Sequence, residues 1–330
     1  MTFSFIGGGA WGSTLAQVLL DNQHKVMIYE KNEAHRDALK KHQHPLFHVT
    51  LPHGIEVTDS LETALAFSNY IVVAIPTKFI IDVLKTLQAY DLKEKVFINV
   101  SKGFIMPELL TISQAFEQYL KHNMKAFVSL SGPSHAEEVI ERNVTTLVSA
   151  STHATERDIV AKAFNNTYMR IYVSDDPIGC EVGGATKNAI AVTSGILTAL
   201  DFGENARAAL LTRGLMEIKN VIEYFGGKQE TAYGLTGLGD LMVTAQSMHS
   251  RNFKAGLKIG QGMKKEDIES REKQTIEGFN TIYSLYHLAK DKGLKFPIIE
   301  STYKLIFNNF PVDTMIKSIL NHQIKDEFHS

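Results

Sequence analysis

The sequence predicts an α/β protein in which a doubly wound, mostly parallel sheet is followed by an all-helical second domain. Three observations predict it. A glycine-rich segment, Gly7-Gly8-Gly9-Ala10-Trp11-Gly12, stands between an apolar strand-like run and a helix-like segment. Short β-rich runs then alternate with helical stretches through residue 173, and after Ser174-Asp175-Asp176-Pro177 the β-rich runs stop.

Taken in order, Phe3-Ser4-Phe5-Ile6 reads as the first strand and residues 13–20 as the first helix, with a G-x-G-x-x-G loop between them. That context is what the dinucleotide fingerprint requires: the glycines allow a tight turn and let a pyrophosphate approach the backbone at a helix start. The second strand, Lys25-Val26-Met27-Ile28-Tyr29, ends at Glu30, eighteen residues beyond Gly12, where an acid can accept from a ribose hydroxyl. Further β-rich runs cover residues 70–75, 96–100, 127–130, 145–149 and 169–173. Several are continuously apolar, as expected of strands covered on both faces. Helix-like segments such as 60–67 and 109–121 separate them. Beyond the polar, proline-containing joint, residues 181–200, 205–225, 278–292 and 301–307 all read as helices, which puts a domain boundary at 174/175.

At 330 residues two domains are the default expectation, and 44% hydrophobic with 21% charged residues is an ordinary globular composition. A net charge of −2 argues against a nucleic-acid binder that works by general attraction, but leaves room for a local anion site. Cys180 is the only cysteine, so no intrachain disulfide forms and a reducing, cytoplasmic location is expected. No stretch approaches about eighteen uninterrupted apolar residues, so integral membrane association is not expected. The thirteen histidines form no convincing metal pattern, and Ser134 has no nucleophile-elbow context.

Between Glu181 and Asp201 the chain carries one charge, Lys187, within Val182-Gly183-Gly184-Ala185-Thr186-Lys187-Asn188-Ala189. A helix so poor in charge is buried on most sides. A lysine kept there either has a partner and a task, proton transfer being one, or reaches to solvent from the helix edge. Four polar loops read, each taken alone, first as structural turns and caps and second as places to hold an anion: Ser101-Lys102-Gly103, Ser131-Gly132-Pro133-Ser134-His135-Ala136, Gly234 through Asp240, and Ser247-Met248-His249-Ser250-Arg251-Asn252. The first two follow strands, where open α/β sheets take their ligands.

In collinear order these segments, with Asn205-Ala206-Arg207-Ala208-Ala209-Leu210, Arg213-Gly214-Leu215, Glu277-Gly278 and Phe296-Pro297-Ile298, resemble the bacterial NAD(P)-dependent glycerol-3-phosphate dehydrogenase family over almost the whole chain. The resemblance implies a Rossmann-type dinucleotide-binding domain at 1–174 and a helical substrate-binding domain at 175–330, similar to that of 6-phosphogluconate dehydrogenase. It implies NAD(H) or NADP(H) as coenzyme, and dihydroxyacetone phosphate and sn-glycerol 3-phosphate as the small-molecule substrate pair for glycerophospholipid synthesis. By position, Lys187 would be the acid/base. Lys102, Gly132, Ser134, Asp240, Ser250, Arg251 and Asn252 would contact substrate. Gly7, Gly9, Ala10, Trp11, Gly12, Lys31, Lys102, Ala136, Arg251, Thr275 and Glu277 would line the coenzyme site. Asp240 could orient Lys187, and assembly as a homodimer is left open. The chain departs from the family pattern at Thr186, Glu204 and Thr275-Ile276. Residues 43–53 are shorter than the family's loop there and are left out of the coenzyme assignment. Two alternatives stand beside this reading. One is another enzyme of the same architecture, a β-hydroxyacid dehydrogenase or ketopantoate reductase; the other is a non-catalytic NAD(P)H sensor. Ser250-Arg251-Asn252 favours a phosphorylated substrate over the first.

Overall fold

The computed structural model describes residues 1–272 and 276–311. Strands and helices alternate as β1 (Thr2–Ile6), α1 (Ala10–Asp21), β2 (Lys25–Tyr29), α2 (Glu33–Lys40), β3 (Ile55–Thr58), α3 (Leu61–Phe67), β4 (Tyr70–Val73), α4 (Ile80–Leu87), β5 (Val96–Asn99), α5 (Ile112–Leu120), β6 (Ala126–Ser131), α6 (Ala136–Ile140), β7 (Thr145–Ala150), α7 (Ala154–Phe164) and β8 (Met169–Ser174). The strands form one sheet in the order β3-β2-β1-β4-β5-β6-β7-β8, parallel except where β6 meets β7. The doubly wound, mostly parallel sheet expected from the sequence is therefore present, with one strand more than the seven β-rich runs. The addition is β3, an edge strand of four residues, Ile-Glu-Val-Thr, of which only Ile55 is buried. With one buried side chain it has no apolar run to announce it.

Alternate residues of the strands feed two cores. Phe3 and Phe5 of β1, with Val96 and Ile98 of β5, pack among Leu15, Val18 and Leu19 of α1 and Val160 and Phe164 of α7. Ile6, Ile71, Val73 and Phe97 point to the other face, among Leu84 and Leu87 of α4 and Phe116 of α5. Helices on both faces explain why the strands are apolar throughout rather than alternating. Strand order reverses between β1 and β4, so the loops leaving these two strands splay apart at their carboxyl ends, where open α/β sheets accept ligands.

The rest of the described chain is helical: α8 (Pro177–Ala199), α9 (Gly203–Tyr224), α10 (Asp240–Ala245), α11 (Arg251–Gly260), α12 (Lys265–Arg271), α13 (Glu277–Lys292) and α14 (Pro297–Phe307), with a 3-10 turn (Gln229–Tyr233) and a wider π-helical turn (Leu235–Gly239) between α9 and α10. The chain divides into two compact units, residues 1–184 with 222–240, and residues 185–221 with those from 241 onward. This division differs from a cut at 174, for a local reason. Asp176 accepts from the Gly179 amide at 2.9 Å, capping α8, and its other oxygen accepts from the Lys228 amide at 2.9 Å and the Thr231 hydroxyl at 2.6 Å. One buried carboxylate thus ties the start of α8 and residues 228–231 to the sheet-bearing unit. The second unit is built on α8 and α9, with Ile190, Val192, Ile196, Ile218, Val221, Phe253, Phe279 and Ile282 all buried.

Candidate active site

In the sheet-bearing unit, the loop after β1 turns on Gly7 (φ +102°), and a Cβ at Gly7 would lie 2.5 Å from the Ala74 carbonyl oxygen after β4. A Cβ at Gly12 would collide with the carbonyl oxygen of Gly7. Gly9 is the N-cap of α1 with no side chain capping the helix, and a Cβ there would meet nothing within 4 Å. Gly7 and Gly12 are therefore fixed by packing, whereas Gly9 keeps backbone open at the positive end of a helix that starts with Ala10 and Trp11. Exposed first-turn amides and an unobstructed approach fit the pyrophosphate of a dinucleotide.

Glu30 ends β2 and spends both oxygens on the chain: Oε2 accepts from the Gly8 amide at 2.8 Å and Oε1 from the Asn32 amide at 2.8 Å. It braces the glycine loop, a role the spacing to Gly12 did not indicate. Arg36, which no motif picked out, donates from Nη1 to the carbonyl oxygens of Glu30 at 3.0 Å and Lys31 at 2.6 Å, and the Lys31 side chain stays exposed at this corner. The 43–53 segment also reaches the first turn of α1. His44 accepts from the amides of Leu46 (3.2 Å) and Phe47 (2.9 Å) at Nδ1, which leaves Nε2 to donate to the Ala10 carbonyl at 3.1 Å. Burial holds this imidazole below the ordinary histidine value.

At the carboxyl ends of β5 and β6, Lys102 Nζ donates to the Gly132 carbonyl at 2.7 Å and to Asp240 Oδ2 at 2.7 Å. Asp240 is 1% exposed. The Ser134 hydroxyl donates to the Gly132 carbonyl at 3.1 Å, and Ala136 opens α6. Four of the substrate residues expected from sequence, Lys102, Gly132, Ser134 and Asp240, thus gather in one unit. The Lys102 loop is held by Asn99, whose side chain accepts from the Ser101 amide and donates to the Ser101 carbonyl, each at 3.1 Å. Buried Glu181 accepts in turn from Asn99 at 3.2 Å and from the Ser113 amide at 3.0 Å, and burial pushes its carboxyl up to about 7.

In the helical unit Lys187 is 5% exposed, and its Nζ donates to the Thr244 hydroxyl at 2.5 Å. The solvent-reaching alternative for this lysine is excluded. Thr244 lies 57 residues away in sequence, and only its place one turn after Asp240 on α10 could have suggested it. Ser250 caps α11, accepting from the Phe253 amide at 3.2 Å, so Arg251 is the first residue of that helix. Asn252 Nδ2 donates to Asn188 Oδ1 at 2.8 Å, and its Oδ1 accepts from the Gly278 amide at 2.9 Å, beside Glu277 at the start of α13. Lys187, Asn188, Arg251, Asn252 and Glu277 are thereby positioned by three helices of one unit. Thr275 lies outside the described residues.

A doubly wound sheet with an open glycine loop at its switch point, and a buried lysine in a helical unit, define a nicotinamide-dinucleotide-dependent dehydrogenase. Comparison with known proteins gives the particular kind. A family model described as the NAD-dependent glycerol-3-phosphate dehydrogenase N-terminus matches residues 2–157, and one described as its C-terminus matches residues 176–317. The chain belongs to the NAD-dependent glycerol-3-phosphate dehydrogenase family. It is 47% identical to a glycerol-3-phosphate dehydrogenase [NAD(P)+] of Acholeplasma laidlawii over 99% of each chain. It is 39% identical to that of Staphylococcus saprophyticus, over 97% of this chain and 98% of the other. The crystal structure of glycerol-3-phosphate dehydrogenase from Coxiella burnetii superimposes with a TM-score of 0.89 at 27% identity, over 97% of this chain and 99% of that one. No helix among the described residues is long and apolar enough to cross a membrane.

Proposed function

We propose that the protein interconverts dihydroxyacetone phosphate and sn-glycerol 3-phosphate with NAD(H) or NADP(H), supplying glycerol phosphate for lipid synthesis. The observation that carries this reading is Lys187, 5% exposed, held by Thr244, and the one charge between Glu181 and Asp201. The reduced nicotinamide would supply the hydride that goes to C2 of the ketone. As negative charge develops on the carbonyl oxygen, the Lys187 ammonium stabilises it and then donates its proton. In the oxidative direction neutral Lys187 removes the hydroxyl proton, while the hydroxyl of Thr244 keeps Nζ in place.

Arg251 and Ser250 are assigned to the substrate phosphate. Arg251 stands at the first position of α11. A guanidinium offers a fork of donors that suits a dianion. Asn252 is assigned with them, although its side chain already bridges Asn188 and Gly278. Lys102, Gly132, Ser134 and Asp240 are assigned to the rest of the substrate. Gly7, Gly9, Ala10, Trp11, Gly12, Lys31, Lys102, Ala136, Arg251, Thr275 and Glu277 are assigned to the coenzyme. Functionally, residues 1–174 would serve the coenzyme and 175–330 the substrate and the proton. The reading carries with it a cytoplasmic location, supported by the lone, buried Cys180, and a homodimer, which light scattering of the purified protein would read directly.

The deciding experiment follows oxidation of NADH and of NADPH separately with dihydroxyacetone phosphate, and repeats both with unphosphorylated ketoacids. Turnover of the phosphorylated ketone with at least one coenzyme is expected. Turnover of ketoacids alone would assign the chain to another dehydrogenase chemistry, and coenzyme binding without any turnover would make it a sensor.

A further inference from the structure

The amide of Ser13 finds the carbonyl of Gly9 at 3.0 Å, so the amides before it, those of Ala10, Trp11 and Gly12, are the orphan donors of the start of α1. No side chain caps them. A peptide group is planar, so the Ala10 carbonyl and the Trp11 amide are two ends of one rigid unit, and whatever fixes the oxygen fixes the direction of the N–H.

Two buried side chains converge on that oxygen. Thr14 donates its hydroxyl to it at 2.8 Å, an ordinary back-bond within a helix. His44 Nε2, at 3.1 Å, comes from outside the helix and lies 3.4 Å from the Thr14 hydroxyl as well. Bonds accepted by a carbonyl polarise its peptide group and strengthen the donor at the other end.

Covering the core does not require this histidine. Its loop is seated by Leu51, which is 2% exposed, and by Phe47 and Val49, packed against the same core as Trp11. Backbone bonds close the loop from the His44 amide to the Val49 carbonyl at 2.9 Å and from the Leu51 amide to the His42 carbonyl at 2.7 Å. His44 is 4% exposed, and an apolar side chain would fill its place with less desolvation cost than an imidazole. What the imidazole adds is an acceptor on one side and a donor on the other. The ring lies flat on Phe47, with centroids 4.3 Å and planes 8° apart, which fixes its direction.

We propose that His44 is a positioning residue for the coenzyme: through the Ala10 carbonyl it aims and polarises the Trp11 amide toward the pyrophosphate. Residues 43–53 thereby belong to the coenzyme site. This rests on the assignment of Ala10 and Trp11 to the coenzyme. Because the pyrophosphate is common to NADH and NADPH, His44 serves both alike, unlike a cation beside the ribose.

Two substitutions separate the ring nitrogens. His44→Gln carries an amide nitrogen near the place of Nε2, so it keeps the donor to Ala10 and loses the acceptor for the Leu46 and Phe47 amides. His44→Ala loses both. Dissociation constants for NADH and NADPH are read from the emission of Trp11, the only tryptophan, well below each thermal midpoint. Both variants should have lowered midpoints. His44→Ala should bind both coenzymes about fivefold more weakly, and His44→Gln should stay within about twofold of wild type. His44→Leu, which fills the volume without a donor, repeats the measurement if the alanine chain does not fold. Equal weakening in the glutamine and donor-less variants would mean that loop stability sets affinity, and overturns the proposal. Unchanged affinity without the donor, or weakening confined to one coenzyme, overturns it too. A wild type that binds neither coenzyme defeats the parent reading, whereas wild-type binding matched by every variant defeats only the role of His44.

Discussion

Lys187 lies in α8 between Thr186 and Asn188, is 5% exposed, and its ammonium donates to the Thr244 hydroxyl. If that ammonium is the proton source, Lys187→Ala should lower kcat by about two orders of magnitude or more, with little change in coenzyme affinity. A steady-state kcat within a few-fold of wild type would remove the residue from catalysis. Arg251 makes a different prediction, because it is assigned to binding rather than to proton transfer. Arg251→Ala should raise KM for dihydroxyacetone phosphate by about ten- to a hundredfold, the range for lost charged hydrogen bonds, and lower kcat less. An unchanged KM sinks the phosphate assignment. Both residues were legible in the sequence, Lys187 as an isolated charge in an apolar helix and Arg251 beside serine and asparagine after a glycine loop. Their partners were not. Thr244 is 57 residues from Lys187 and Asn188 is 64 from Asn252, so only the packing of α8 against α10 and α11 brings them together.

If the corner between β2 and α2 meets the adenosine ribose, an element rather than a single residue sets coenzyme choice. Asn32 caps α2 by accepting from the His35 amide at 3.0 Å, Glu30 braces the glycine loop, and Arg36 holds the carbonyls of residues 30 and 31. With those three side chains engaged, Lys31 is the exposed cation left at the end of β2, where a ribose 2′-phosphate would lie. Lys31→Ala should therefore raise KM for NADPH on the order of tenfold while changing that for NADH by less than about threefold. Equal effects on the two coenzymes refute the role. Elements with strong periodicity or long apolar runs were readable from the sequence, α1, β4 and β5 among them. β3 was not, because a single buried isoleucine leaves no pattern. The contact of the 43–53 segment with α1 was not readable either, because it depends on one histidine whose ring orientation follows from two backbone amides.

At the scale of the molecule, each unit contains a buried carboxyl that carries no assigned chemistry, Glu181 in the sheet-bearing unit and Glu217 in the helical one. The sequence marks neither, since a glutamate in a helix usually faces water and the partners of these two lie 68 to 82 residues away. Glu217 is 5% exposed and accepts from the amides of Ile298 at 2.6 Å and Ile299 at 3.2 Å, closing the first turn of α14. Burial pushes its carboxyl up to about 8, and that of Glu181 to about 7, from an ordinary 4.5. A group whose folded value is raised binds its proton more tightly in the folded chain. Its stabilisation is complete below 4.5 and is lost as pH rises through the folded value. His24 and His44 act in the opposite sense, because burial lowers them from 6.5: below that pH the unfolded chain takes up protons that the folded chain does not. Between about pH 7 and pH 9 the larger change is therefore that of Glu217, with only the tail of Glu181 beside it. There the wild-type thermal midpoint should fall by several degrees, and in Glu217→Gln, whose neutral side chain can still accept from one of the two amides, it should stay nearly level. A wild-type midpoint that rises across this window, or a Glu217→Gln curve that falls in parallel with it, would show that the carboxyl is already ionised in the folded protein and caps α14 as an anion.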